Sequence, residues 1–157
     1  MSSWWWWKAS RRLAVLRQLH GPGDWLLLAG ALVYAAGVPL LFRLSLARVA
    51  SLLQPATAPS TPDPARVQQV LRCVDAALSV GRPLVRPTCL TQAATRYHFL
   101  RRAGLDVTLR FGVGHVDGQL VGHCWLATDD EPFLEARDPR TVYVETYRVP
   151  PATVPAP

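Results

Sequence analysis

Cysteine is scarce and unpatterned: Cys73, Cys89 and Cys124 are the only three in 157 residues. An odd number without a repeated spacing argues against a disulfide framework and for a reducing, cytoplasmic setting, with at least one thiol left free. No CxxC or HExxH pair occurs. A zinc site drawn from Cys89, His115, His123 and Cys124 would lack an anchoring pair, and His123 and Cys124, as neighbours in a strand, point to opposite faces. No metal and no cofactor is therefore expected. Acidic side chains are also few, and one stretch nearly lacks them. Through Gln54, six basic residues (Lys8, Arg11, Arg12, Arg17, Arg43, Arg48) stand against the single acid Asp24, so +5 of the net charge of +6 lies in the N-terminal third. No nucleic-acid recognition motif accompanies that charge, which points to anionic lipid or an acidic partner instead. No small-x-small cleavage site follows the apolar stretch, as a signal peptide would require.

The length suits one catalytic core plus an appendage. The appendage is a basic, hydrophobic, helical region over 1–54. It opens with Trp4 to Trp7 and Lys8, followed by Leu13, Leu16 and Leu19 at helical spacing, and such indoles beside cations suit a membrane interface or the rim of a partner groove. Trp25 to Phe42 are 18 residues without a charge, at the lower limit of a membrane span. Gly37, Val38 and Pro39 favour a break, so a buried helical hairpin is the preferred reading and membrane association the other. Residues 55–64, rich in Pro, Ala, Ser and Thr, are a linker; 65–149 form the catalytic part and 150–157 a Pro-rich tail.

Asp63 and Pro64 cap and start a helix in which Val67, Val70, Leu71, Val74 and Leu78 form a core stripe ending near Gly81, with Cys73 as a small filler. Thr88 is the N-cap of a second helix whose first residue is Cys89 and which stops at Gly104. Alternation then predicts strands over 106–113, 119–128, 131–136 and 142–149, with turns at Gly114 to Gly118 and at Asp129-Asp130. Helices first and antiparallel strands afterwards make an α+β fold.

Cys89 at a helix start, with His123 in a strand 34 positions later, is the layout of a cysteine nucleophile and its base. A thiol attacks well only as a thiolate, and the helix dipole and an imidazole both favour that anion. First-turn N–H groups also suit an oxyanion. A third group must orient His123, and Asp129, Asp130, Glu131, Glu135 and Asp138 all lie downstream. A hairpin turning at Asp129-Asp130 brings Glu135 back beside His123, which makes Glu135 the choice and Asp138 the reserve.

Four blocks in order carry a resemblance: Pro87-Thr88-Cys89-Leu90-Thr91-Gln92-Ala93, Leu100-Arg101-Arg102-Ala103-Gly104-Leu105, Leu109-Arg110-Phe111-Gly112-Val113 and Gly122-His123-Cys124-Trp125-Leu126. Together they resemble the transglutaminase-like lasso-peptide biosynthesis B proteins, in their stand-alone leader-peptidase form. Cys124 stands where that family has alanine after the histidine, Ala127 where it has an acid, and Glu135 where aspartate is common. The resemblance implies a papain/transglutaminase-like cysteine peptidase core, with Cys89 at a helix N-terminus packed on an antiparallel sheet carrying His123, preceded by N-terminal hydrophobic helices. It implies a Cys89, His123, Glu135 triad that removes the leader from a ribosomally made lasso precursor. The implied partners are that precursor, a separate leader-binding recognition element and an ATP-dependent lasso cyclase. Two other readings are open: a related peptidase or acyltransferase on another peptide, and a non-catalytic, membrane-associated scaffold.

Overall fold

A computed structural model describes residues 19, 21–41, 62–81 and 85–149. The tryptophan run, the segment after Leu41 and the tail lie outside the described residues, as does most of the 55–64 linker. Three helices, α1 (Pro22–Leu41), α2 (Pro64–Val80) and α3 (Cys89–Arg102), precede a sheet of β1 (Thr108–Val116), β2 (Gln119–Thr128), β3 (Glu131–Phe133) and β4 (Tyr143–Val149). The strand order is β3-β2-β1-β4, antiparallel throughout. The expected α+β order is present.

The apolar stretch departs from expectation in one respect. It forms a single α1 helix that runs through Gly37 and Pro39 to Leu41, so the break expected near Gly37-Val38-Pro39 is corrected, while the second arm of the expected hairpin and any further N-terminal helix lie outside the described residues. Pro39 lacks the N–H that would bond the Ala35 carbonyl, so the helix continues to Leu41 with that one bond unmade. One face of α1, Leu28, Ala31, Ala35 and Val38, is buried with α2 and α3 in the main core. The small residues on that face let the helices approach closely, and Tyr34 stacks on His98 of α3 with centroids 4.3 Å apart. Asp24 accepts a hydrogen bond from Gln69 of α2. The other face keeps Leu26, Val33 and Leu40 exposed, and the helix is long and apolar enough to cross a membrane.

The caps follow the sequence. Asp63 Oδ1 accepts from Ala65 N at 3.0 Å with Pro64 in the first turn, and Val67, Val70, Val74 and Leu78 turn inward. Cys73 is buried beside them, and burial and the nearby Asp24 raise its pKa and keep it a thiol. Thr88 Oγ1 accepts from Thr91 N at 3.2 Å, which makes Cys89 the first helical residue. α3 closes on Gly104 at φ 90°, a left-handed position that favours glycine, where its N–H meets the Arg101 carbonyl at 3.0 Å.

Two tight hairpins set the register. Asp117-Gly118 and Asp129-Asp130 all have positive φ, as two-residue turns of the primed type require. The first lengthens β1 to Val116, three residues past the expected end, and pairs Gly112 with His123 and Phe111 with Cys124. β3 is shorter than expected, because Leu134 takes a φ of 64° and ends it at Phe133. Beyond Leu126, toward the β1–β2 turn, β2 therefore has no neighbour on its β3 side among the described residues.

Candidate active site

Strand alternation places Cys124 and Leu126 on the face packed against α3, where both join the main core. His123 and Trp125 take the other face. The Trp125 indole is 1% exposed and lies nearly parallel to the His123 ring at 6.0 Å, with Tyr143 against the same ring at 5.0 Å. Gly112 makes this possible, because a Cβ there would come within 2.9 Å of the indole and of the Val144 carbonyl. The imidazole is thus held from behind by two aromatic rings.

Cys89 projects from the start of α3 to the bare edge of β2. Its side chain lines one cavity with those of His123 and Cys124. At this level β2 is paired only with β1, and its other side has no strand among the described residues. The Cys124 thiol is the strongest influence holding the Cys89 thiol down, to about 5, followed by contacts with His123 and the Cys124 N–H, all against the opposing effect of burial. Cys124 moves the opposite way: its hydrogen bond to Cys89 and its burial push its pKa up.

His123 Nε2 stands 3.4 Å from Glu135 Oε2, and both side chains are about a quarter exposed. Continuing the β2–β3 register would set Glu135 opposite Cys124; the kink at Leu134 ends the pairing first and lets the carboxylate reach the ring. Cys89, His123, Cys124 and Glu135 line one cavity of about 330 Å³ with Gln92 and Arg96. Arg96 is engaged by Asp75 at 2.9 Å. The other acids weighed from the sequence are used elsewhere. Asp138 caps the short 3-10 turn Pro139–Thr141 and pairs with Arg140, which lowers its pKa; Glu131 also pairs with Arg140. Asp130 joins the buried Arg110, which also pairs with Glu145 at 3.0 Å, and Asp129 forms the turn. Among the described residues no cluster of three or more His, Cys, Asp or Glu is arranged to hold a metal.

Cys124 is the residue that the sequence reading undervalued. As a strand neighbour of His123 it counts as a small replacement on the far face, yet that face is the one beneath the start of α3. The available signal was the coincidence of a second thiol in the strand expected to carry the base.

No curated protein and no solved structure matches the chain. The model of the transglutaminase-like superfamily matches residues 34–148, from the middle of α1 to the end of the sheet and across every residue of the cavity. That stretch is nearly three quarters of the sequence, and its fold is one that supports cysteine peptidase or acyltransferase chemistry. The chain belongs to the transglutaminase-like superfamily.

Proposed function

We propose that the protein is a cysteine endopeptidase that removes the leader from a lasso-peptide precursor, with Cys89 as nucleophile, His123 as general acid and base, and Glu135 as the group that orients the imidazole. The observation that carries the peptidase reading is Cys89, exposed at a helix start and lining one cavity with His123 and Glu135. The four sequence blocks supply the choice of substrate.

With Nε2 directed at Glu135, Nδ1 is the nitrogen that exchanges a proton with the sulfur and the leaving group. The Cys89 thiolate attacks the scissile carbonyl carbon, a C–S bond forms, and the carbonyl π pair moves to oxygen. The cap of α3 takes up the N–H groups of Thr91 and Gln92, which leaves those of Cys89 and Leu90 for the oxyanion. Collapse breaks the C–N bond as imidazolium His123 protonates the departing core amine. Water then attacks the thioester, His123 accepts its proton, and the thiolate leaves with the leader carboxylate released. The Cys124 thiol keeps its proton throughout and stabilises the thiolate between turnovers.

Partners complete this reading: the precursor, a separate leader-binding recognition element and an ATP-dependent cyclase, in the cytoplasm. The basic, apolar N-terminal third is the surface proposed for these contacts or for a membrane. Incubating the full chain with a lasso precursor and its leader-binding protein tests the substrate. Two fragments whose masses sum to precursor plus one water are expected; an intact precursor alongside a reactive Cys89 rejects the lasso assignment and leaves the broader peptidase reading. In the same assay Glu135→Gln should lower kcat about 100-fold with KM little changed, because the neutral amide orients the ring without stabilising imidazolium. An unchanged kcat would remove Glu135 from the mechanism.

A further inference from the structure

The bare edge of β2 has a definite polarity of hydrogen-bonding groups. In a two-residue primed hairpin the closing pair is hydrogen-bonded, so the Val116–Gln119 pair assigns the backbone groups of residues 119, 121, 123 and 125 to β1. The Thr128–Glu131 pair assigns those of residues 128 and 126 to β3. Residues 124, 122 and 120 face the same side as 126 and 128, where β3 has already ended. By this alternation the Cys124 N–H also falls on the open side, next to the cavity that Cys89 lines, and it is among the groups that lower the Cys89 pKa. The N–H and C=O groups of Gly122 and Leu120 have no backbone partner there among the described residues. Leu120 is 69% exposed, and a Cβ added at Gly122 would meet nothing nearer than the Gly112 carbonyl at 3.9 Å. An open ladder edge of two residues thus leads straight to the nucleophile.

We propose that the acyl half of an extended peptide substrate adds to the sheet as a strand parallel to β2, paired with Gly122 and Leu120. The proposal rests on Cys89 being the nucleophile. The acyl half is the one that must stay in place after the amine has gone, so it is the half that takes the edge. With its carbonyl carbon at the sulfur and its N-terminal end toward Leu120, the chain runs parallel to β2. Parallel pairing then fixes each bond. The residue bearing the reacting carbonyl donates its N–H to the Gly122 C=O and presents its carbonyl carbon to the sulfur, where the ladder ends and the oxygen turns to the N–H groups of Cys89 and Leu90. The residue two positions earlier donates to the Leu120 C=O and accepts from the Gly122 N–H. The residue between them faces away. The ligand class is accordingly an unfolded segment without proline at the two paired positions, and main-chain bonds supply its affinity.

Acetyl-oligoalanine chloromethyl ketones of one to four residues test this on the full chain, with adduct formation at Cys89 followed by mass. The thiolate displaces chloride as the C–S bond forms and the C–Cl bond breaks. The third residue adds two main-chain hydrogen bonds, so second-order inactivation should quicken about tenfold or more between one and three residues and then level. N-methylation of the first or third residue, counted from the reacting carbon, should slow it at least about tenfold, and N-methylation of the second by less than about threefold. Rates independent of length, or N-methyl effects that do not alternate, overturn strand addition. Iodoacetamide separates the two failures: a Cys89 that alkylates faster than Cys73 while length has no effect defeats only strand addition, whereas an inert Cys89 defeats the nucleophile and the strand together.

Discussion

Replacing Cys89 with alanine should lower kcat/KM for precursor cleavage by about 10⁴-fold or more, with the folded structure retained. The thiolate forms the covalent bond on which every later step depends, and removing one member of a nucleophile–base pair typically costs about as much as removing both. The side chain is exposed at the first position of α3, and its cap is supplied by Thr88, not by the sulfur. Alanine is also a strong helix former. A substitution at such a surface position shifts stability by no more than about 0.5 kcal/mol, so the melting temperature should move by roughly 2 °C at most. Fragment masses and thermal melts of the same preparation check both halves of the expectation. Retained cleavage would transfer the nucleophile elsewhere.

Trp125→Ala should be the most damaging single change to stability. The indole is among the largest fully buried side chains and fills the space beside Gly112 and His123. Truncating a buried tryptophan costs about 3–5 kcal/mol, because the removed contacts are lost and the cavity only partly closes. For a chain of this size that corresponds to a fall of roughly 10–15 °C in Tm. Trp125→Phe should cost far less, since it keeps most of the ring and deletes an Nε1 N–H that is buried with no acceptor among the described residues. Denaturant melts of the pair check this. Equal losses would mean that the indole nitrogen, not the ring volume, is what the site needs. Because the indole also backs the imidazole, the alanine variant should lose activity below its melting temperature, and the phenylalanine variant should keep most of it.

The secondary structure was legible wherever local chemistry decides it. Asp63-Pro64 and Thr88 are caps by composition, Gly104 is a stop, and Asp117-Gly118 is a turn whose residues tolerate the required backbone. The strands alternated clearly enough for the hairpin to bring Glu135 near His123. What sequence could not supply were features set by contacts distant in the chain. Gly37 and Pro39 read as a break, yet α1 runs through them because Val38 and Ala35 are buried against the other helices. Leu134 reads as a strand residue, yet its positive φ ends β3 and bares the edge beside the nucleophile. Cys124 reads as a small replacement, because its contact with Cys89 depends on how far α3 overhangs the sheet.

The chemistry proposed for the site needs the Cys89 sulfur ionised at neutral pH by its neighbours. The depressed value concerns loss of a proton, so the reactive thiolate grows as pH rises through the folded pKa and is lost as pH falls through it. The most direct measurement is the pH dependence of iodoacetamide alkylation, resolved for each cysteine by mass, from pH 4 to pH 9. The rate at Cys89 should climb around a midpoint of about 5 and level off near neutrality, while Cys73 and Cys124 stay slow. Cys124→Ala should move that midpoint up by about 1–2 pH units, the worth of one hydrogen bond to a charged group. A Cys89 that reacts no faster than Cys73 at pH 7, or whose rate climbs only around pH 8–9 as an ordinary thiol does, would contradict the account.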